Sequence, residues 1–123
     1  LRLLQIWIIP PKAGLPRLYG SKRFEENERK NKLLNIVSST DGNADIKIYQ
    51  DVNIYVSELE IKKSLDFEIK ENRQVYFVQI EGSSNINEIT LNAGDAMEIV
   101  DIKKIEIKAL ENSHFLFIEM AKV

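Results

Sequence analysis

Gln74-Val-Tyr-Phe-Val-Gln-Ile-Glu-Gly82 is followed by a polar turn, by Ile86 to Leu91, and by Asn92-Ala-Gly-Asp95-Ala-Met-Glu-Ile99. This run reads as a strand closed by glycine, a hairpin, a Gly-Asp turn and a second strand. Gly82 and Gly94 suit tight turns because glycine tolerates positive φ, and the Asp95 carboxylate can accept from nearby amides to fix the second turn.

Outward from this stretch the same period of two continues, the signature of strands with one face on a core. Leu65, Phe67 and Ile69 alternate with Asp66, Glu68 and Lys70. Ile46 with Ile48, then Val52, Ile54 and Val56, then Ile105 with Ile107, and finally Phe115 with Phe117 repeat the pattern. Turn residues separate the runs at Asp41-Gly42-Asn43, Lys62-Lys63-Ser64, Glu71-Asn72, Gly82-Ser-Ser-Asn85 and Asn92-Ala-Gly94-Asp95. About nine short antiparallel strands at this spacing predict a closed barrel or sandwich. Arg23 to Lys32 stands apart, rich in charge and Asn with Phe24 as its one large apolar residue, and reads as a solvated loop or a single helical turn.

The N-terminal stretch Leu4-Gln-Ile-Trp7-Ile-Ile9 is strand-like and is halted by Pro10-Pro11, after which Gly14, Pro16 and Gly20 keep the chain extended and irregular. One reading is an edge strand packed on the barrel. The favoured one is a strap to a preceding domain, because a Trp and several Ile beside two prolines suit an interface between packed bodies. Residues 1–30 are therefore assigned to strap and connector, and 31–123 to a single barrel domain. The chain opens on Leu1 rather than Met, which reads as a fragment, a processed product or a cloned segment.

Composition narrows the function. The 123 residues, 44% of them hydrophobic, fill one core. A net charge of -2 provides no broad basic field for nucleic acid or an anionic membrane. The apolar run from Leu3 to Ile9 is far shorter than the about 20 residues a membrane span needs, and it lacks the flanks of a signal peptide. No cysteine is present, which excludes disulfides and thiolate metal sites and fits a cytoplasmic setting. With no Gly-x-Ser-x-Gly elbow and no glycine-rich phosphate loop, acyl transfer and nucleotide-dependent transfer have no candidates.

The ordered set of Leu4-Gln-Ile-Trp7-Ile-x-Pro10, Gly14-Leu-x-x-x-Tyr19 leading to Phe24, Ser39-Thr-Asp41-Gly42, Ile48-Tyr-Gln50-Asp51, Ile80-x-Gly82 and Leu91-x-Ala-Gly94-Asp95-Ala96 resembles the C-terminal half of pirin-like proteins. These are bicupins, some described as quercetin 2,3-dioxygenases. The resemblance runs from about Leu3 to the final strand. It implies an all-β cupin fold of the RmlC-like type, a double-stranded β-helix or jelly-roll barrel of antiparallel strands. It also implies a preceding cupin domain that holds iron or a similar divalent metal on three histidines and a glutamate, and a C-terminal barrel that usually has none.

Against that pattern, counting back along the strand from Gly82 places Gln74 where the glutamate would stand, with Lys70 and Glu68 at the two histidine positions. Asp101 to Glu106 covers the third histidine. A protonated lysine has no lone pair to donate, and neutral imidazoles are the usual ligands on such a barrel. No catalytic, cofactor-binding or metal residue is assigned to this chain.

His114, the single histidine, opens the last strand and is read as a strand-end residue rather than as a base or lone ligand, since a lone histidine needs convergent partners. Tyr49, Gln50, Asp51, Asn53 and Tyr55 could line a small cavity. The favoured reading places them outward, with Val52, Ile54 and Val56 supplying the core. Asp66, Glu68, Lys70, Glu71 and Arg73 read as a solvated face with weak ion pairs rather than acid-base machinery.

The expectation is thus a metal-free C-terminal cupin domain, structural partner of a metal-dependent N-terminal cupin domain in the same protein. The alternative is a small-molecule-binding or regulatory cupin module without metal. Without its partner domain, such a chain is expected to self-associate through the uncovered strap and sheet edges.

Overall fold

A computed structural model describes residues 29–44, 46–48 and 51–121. The strap expected over Leu3–Ile9 and most of Arg23 to Lys32 lie outside the described residues. Ten strands follow in order: β1 Leu34–Ser39, β2 Ile46–Ile48, β3 Val52–Leu59, β4 Ser64–Glu68, β5 Arg73–Glu81, β6 Ser84–Ile86, β7 Ile89–Leu91, β8 Ala96–Ile99, β9 Lys104–Ala109 and β10 Ser113–Ala121. They form a six-stranded sheet, β2-β1-β3-β10-β5-β8, facing a four-stranded sheet, β4-β9-β6-β7. This is the two-sheet cupin jelly roll, antiparallel except that β1 and β2 pair in parallel.

The core lies between the sheets. β9 shows how the sequence builds it: Ile105, Ile107 and Ala109 are buried, while Lys104, Glu106 and Lys108 are exposed, so a strict alternation places every apolar side chain inward. β4 follows suit, with Leu65 and Phe67 packed on the core and Ser64, Asp66 and Glu68 exposed. The six-stranded sheet contributes Val75 and Phe77 from β5, Ile99 from β8, and Phe115 and Phe117 from β10.

The stretch from Gln74 to Ile99 crosses between the sheets, and its turns explain how. Gly82 has φ +75, and a Cβ there would sit 2.2 Å from the Asn112 backbone oxygen. The chain leaves β5 at this point and enters β6 in the other sheet. Ser84 already belongs to β6, so the expected turn Gly82 to Asn85 is shorter than the sequence suggests, and the expected hairpin over Ile86 to Leu91 turns at Asn87-Glu88. Asn87 and Glu88 take φ 47 and 74, the paired positive values of a two-residue hairpin. Asn87 pins the hairpin to β9 by accepting from Glu106 N at 2.8 Å and donating to Lys104 O at 3.0 Å. At the second glycine, Asn92 N donates to the Asp95 carboxylate at 2.9 Å, as the sequence predicts.

Gly82 and Gly94 separate two costs. Gly94 has φ +89 but no atom within 4 Å of a Cβ built there, so Gly94→Ala should cost only the backbone strain of about 1 kcal/mol. Gly82→Ala adds a collision with backbone and should cost at least about 3 kcal/mol. Urea denaturation of both variants checks the order; equal midpoints would mean that the close approach at Asn112 relaxes freely.

Candidate functional site

Which side chains face the interior is decided by the register around β10. Phe117 lies opposite Tyr55 on β3 and Phe77 on β5, and Phe115 lies opposite Ser57 and Gln79. Side chains alternate along each strand, so Asn53, Tyr55, Ser57 and Leu59 point inward on β3. Val52, Ile54 and Val56 then point to the outer face, which reverses the expected arrangement of this strand. The Tyr55 ring stacks on Phe117 at 5.0 Å and meets Phe67 edge-on at 5.1 Å. Its aromatic area does more inside the sandwich than a valine or isoleucine would. Tyr49 and Gln50 lie outside the described residues.

The ligand positions of a metal-bearing cupin read differently in this register. Glu68 and Lys70 are exposed, and Gln74, opposite Met120, points to the outer face. The inward neighbours are Phe67, Ile69 and Val75. In the third region Ile105 and Ile107 are inward, at 0% and 1% exposure, while Asp101 and Glu106 are exposed. Phe117 also stands 4.8 Å from Phe67 and 6.1 Å from Phe77, so rings occupy the space between the sheets. None of these inward side chains has a lone pair for a metal, and they do not fit one. Among the described residues no group of three or more His, Cys, Asp or Glu is arranged to hold an ion.

Among the described residues the interior holds a charged cluster at the end of the barrel where β10 finishes. Glu119 is 7% exposed. Arg73 Nε donates to Glu119 Oε2 at 2.6 Å and Nη2 to Oε1 at 2.8 Å. Asn53 Nδ2 donates to the same Oε1 at 2.9 Å, and Arg73 Nη1 reaches the exposed Asp51 carboxylate. The hydrogen bond to Glu119 raises the Arg73 pKa above its ordinary value against the opposing effect of burial. Burial, then the negative charge of Glu119, raises the Tyr55 phenol, with Arg73 pulling the other way.

This fork uses the guanidinium donors on two carboxylates, and it joins β3, β5 and β10. Its chemistry is that of a clamp rather than a nucleophile or base. Arg73 also borders an open cleft of about 710 Å3 that includes Lys70, Ile102, Lys103 and Lys104. Of the five residues read as a solvated face, Asp66, Glu68, Lys70 and Glu71 are exposed, whereas Arg73 is largely buried. The signal for its partner is Glu119 itself, a carboxylate in a strand apolar on both faces.

His114 sits at the opposite end of β10, half-buried, with Glu58 and Glu81 as its cross-strand neighbours. It lines a pocket of about 280 Å3 with Lys30, Glu60 and Asn112. The length of β10 separates it from the Arg73 cluster, so the two polar regions do not converge.

Two outcomes follow from the clamp. Glu119→Gln leaves a largely buried guanidinium facing an amide and should lower stability by about 3 kcal/mol, whereas replacing Arg73 and Glu119 together by Met should cost less. Urea midpoints of the single and double variants measure this. The folded-state Tyr55 pKa lies above its unfolded value, so the stability it contributes is full below about pH 10 and is lost as pH rises through the folded value. Absorbance titration of tyrosinate in the parent chain and in Tyr55→Phe should differ by one phenol that ionises above its ordinary value.

A family profile described as the quercetinase C-terminal cupin domain matches residues 35–120. Quercetin 2,3-dioxygenase of Escherichia coli is 28% identical over 123 residues, covering 100% of this chain and 52% of that protein. A pirin-like protein of Caulobacter vibrioides is 30% identical over 121 residues, covering 98% of this chain and 52% of its own length. The chain thus spans about half the length of the curated relatives it matches. The crystal structure of the bacterial pirin YhhW from Escherichia coli in complex with nickel(II) superposes with a TM-score of 0.85 at 24% identity, over 95% of this chain and 49% of that one.

Proposed function

Because the chain belongs to the quercetinase C-terminal cupin domain family, we propose that it is a metal-free bracing barrel, partner to a metal-dependent N-terminal cupin domain of the same protein. The observation that supports this reading is the apolar lining between the sheets. Phe67, Ile69, Val75 and Ile105 pack in or against the core cluster there, and Phe117 stands 4.8 Å from Phe67. The relatives are about twice as long as this chain, which leaves room for a second barrel in each. One relative is named quercetin 2,3-dioxygenase, and the bacterial pirin YhhW was crystallised in complex with nickel(II), which supports a metal-dependent activity for the whole protein. On this reading the catalytic step, its metal and its substrate belong to the N-terminal domain, and the protein works in the cytoplasm. Among the described residues no helix is long and apolar enough to cross a membrane.

A second reading, a small-molecule module without metal, is favoured by the cleft beside Arg73 rather than by any space inside the barrel.

Elemental mass spectrometry tests the first reading. The purified chain is incubated with Fe(II), Cu(II), Ni(II) and Zn(II), desalted, and passed through size exclusion with light scattering. Well below one equivalent of each metal is expected, with a mass that rises with concentration as copies associate in place of the partner domain. Near one equivalent of any metal would overturn the metal-free assignment, and a strictly monomeric species would remove the self-association.

A further inference from the structure

The barrel end where β10 finishes carries a feature that a bracing role does not use. There the β4–β5 and β8–β9 connections meet: Ile69 N donates to Lys103 O at 2.8 Å, and Arg73 N donates to Lys70 O at 3.2 Å. Asn72 and Asp101 take φ 65 and 60, so each connection turns through one left-handed residue. The cleft they border, of about 710 Å3, falls within the about 300 to 1,000 Å3 usual for small-molecule sites. Ile69 and Ile102 supply its apolar lining, the first buried and the second 43% exposed.

The polar lining is mixed. Lys70, Arg73, Lys103 and Lys104 stand against the carboxylates of Glu68, Glu71 and Asp101. So small an excess of positive charge provides little long-range field, and recognition has to come from directed donors. The four cations differ in how far they are committed. Lys104 lies 3.4 Å from Asp66 and 3.7 Å from Glu106. Lys70 and Lys103 pair with no carboxylate among the described residues. Arg73 is the directed donor, because Glu119 holds Nε and Nη2 and so sets the plane of the guanidinium from inside the barrel. Nη1 is left to Asp51, whose side chain is 67% exposed. An exposed carboxylate gains little from such a pair, so another carboxylate can replace it at small cost. The three acidic side chains of the lining disfavour a ligand with a second negative charge.

We propose that this cleft binds a small organic monocarboxylate with an apolar body: Arg73 Nη1 takes one oxygen in place of Asp51, the Lys70 or Lys103 ammonium takes the other, and the body lies on Ile102. This ligand class deepens the reading of the chain as a small-molecule module and rests on it; the metal-free reading is independent of both.

Benzoate and its neutral isostere benzamide are the probes, and two-dimensional amide NMR of the full chain is the readout. Benzoate should shift the amides of Lys70, Asn72, Ile102 and Lys103 saturably, and benzamide should bind at least fivefold more weakly. Replacing Lys70 and Lys103 together by Ala should weaken benzoate at least threefold. Asp51→Ala should tighten it at least twofold, and by more than Glu71→Ala does, because Asp51 competes for Nη1 whereas Glu71 only contributes charge. All these variants change exposed side chains, and the amide spectrum itself reports whether each is folded. Equal binding of benzoate and benzamide at these amides would keep a small-molecule cleft and overturn the carboxylate assignment. Tightening by Glu71→Ala as large as by Asp51→Ala would overturn the exchange at Nη1. If neither probe shifts the cleft amides, the assignment and the module reading beneath it both fall.

Discussion

Phe117 is the contact on which the rest of the barrel depends. It is fully buried at the middle of β10 and touches Tyr55 from β3, Phe77 from β5 and Phe67 from the opposite sheet. One ring therefore fixes the register of three neighbouring strands and the spacing between two sheets. A one-residue slip of β10 would send Phe115, Phe117 and Glu119 to the outer face and bring Leu116 and Ile118 in. The slipped state would lose each aromatic pair, worth about 0.5 to 1.5 kcal/mol beyond area burial. It would also strand the Arg73 guanidinium without its carboxylate. Aromatic packing and the ion pair thus select the same register, and neither is compatible with the alternative.

That redundancy explains which parts of the fold were legible in the sequence. β4 and β9 border solvent on one face, so Leu65, Phe67, Ile105 and Ile107 alternate cleanly with charge and could be assigned inward from the pattern alone. β10 has large apolar residues on both faces, and β3 carries Val52, Ile54 and Val56 outward with Asn53, Tyr55, Ser57 and Leu59 inward. Val52, Ile54 and Val56 look as much like core as Tyr55 and Leu59 do, and alternation gives the strand without its orientation. The missing information was the cross-strand pairing with Phe117, a contact about sixty residues distant in the chain. Gly82 was readable as a tight turn but not as a crossing between sheets, because the obstacle at Asn112 exists only after β10 is in place. The hairpin over Ile86 to Leu91 was readable, but not its turn residues Asn87-Glu88, because a glutamate at positive φ is not a turn signal and the Asn is held by β9 as well as by local propensity.

The site positions were misread for a related reason. Counting from Gly82 lands on Glu68, Lys70 and Gln74, each one residue from an inward side chain. In a strand that single step exchanges solvent for core. Phe67, Ile69 and Val75, the inward neighbours in this register, have no lone pair to offer an ion.

An apolar lining at those positions is consistent with a bracing role. A metal-bearing barrel keeps lone-pair donors inside and an opening for substrate, and each unpaired polar group there costs stability until the ion binds. In this chain the same scaffold has apolar side chains at those positions. The buried carboxylate of Glu119 is neutralised by a bidentate partner and accepts a further hydrogen bond from an asparagine. The buried pair gains little net energy over apolar packing, since desolvating both ions offsets most of their attraction. Its value lies in geometry, because a guanidinium fork accepts a carboxylate in few orientations and Asn53 closes the third side. Aromatic packing at the centre and the clamp at one end thus hold β3, β5 and β10 in a single arrangement.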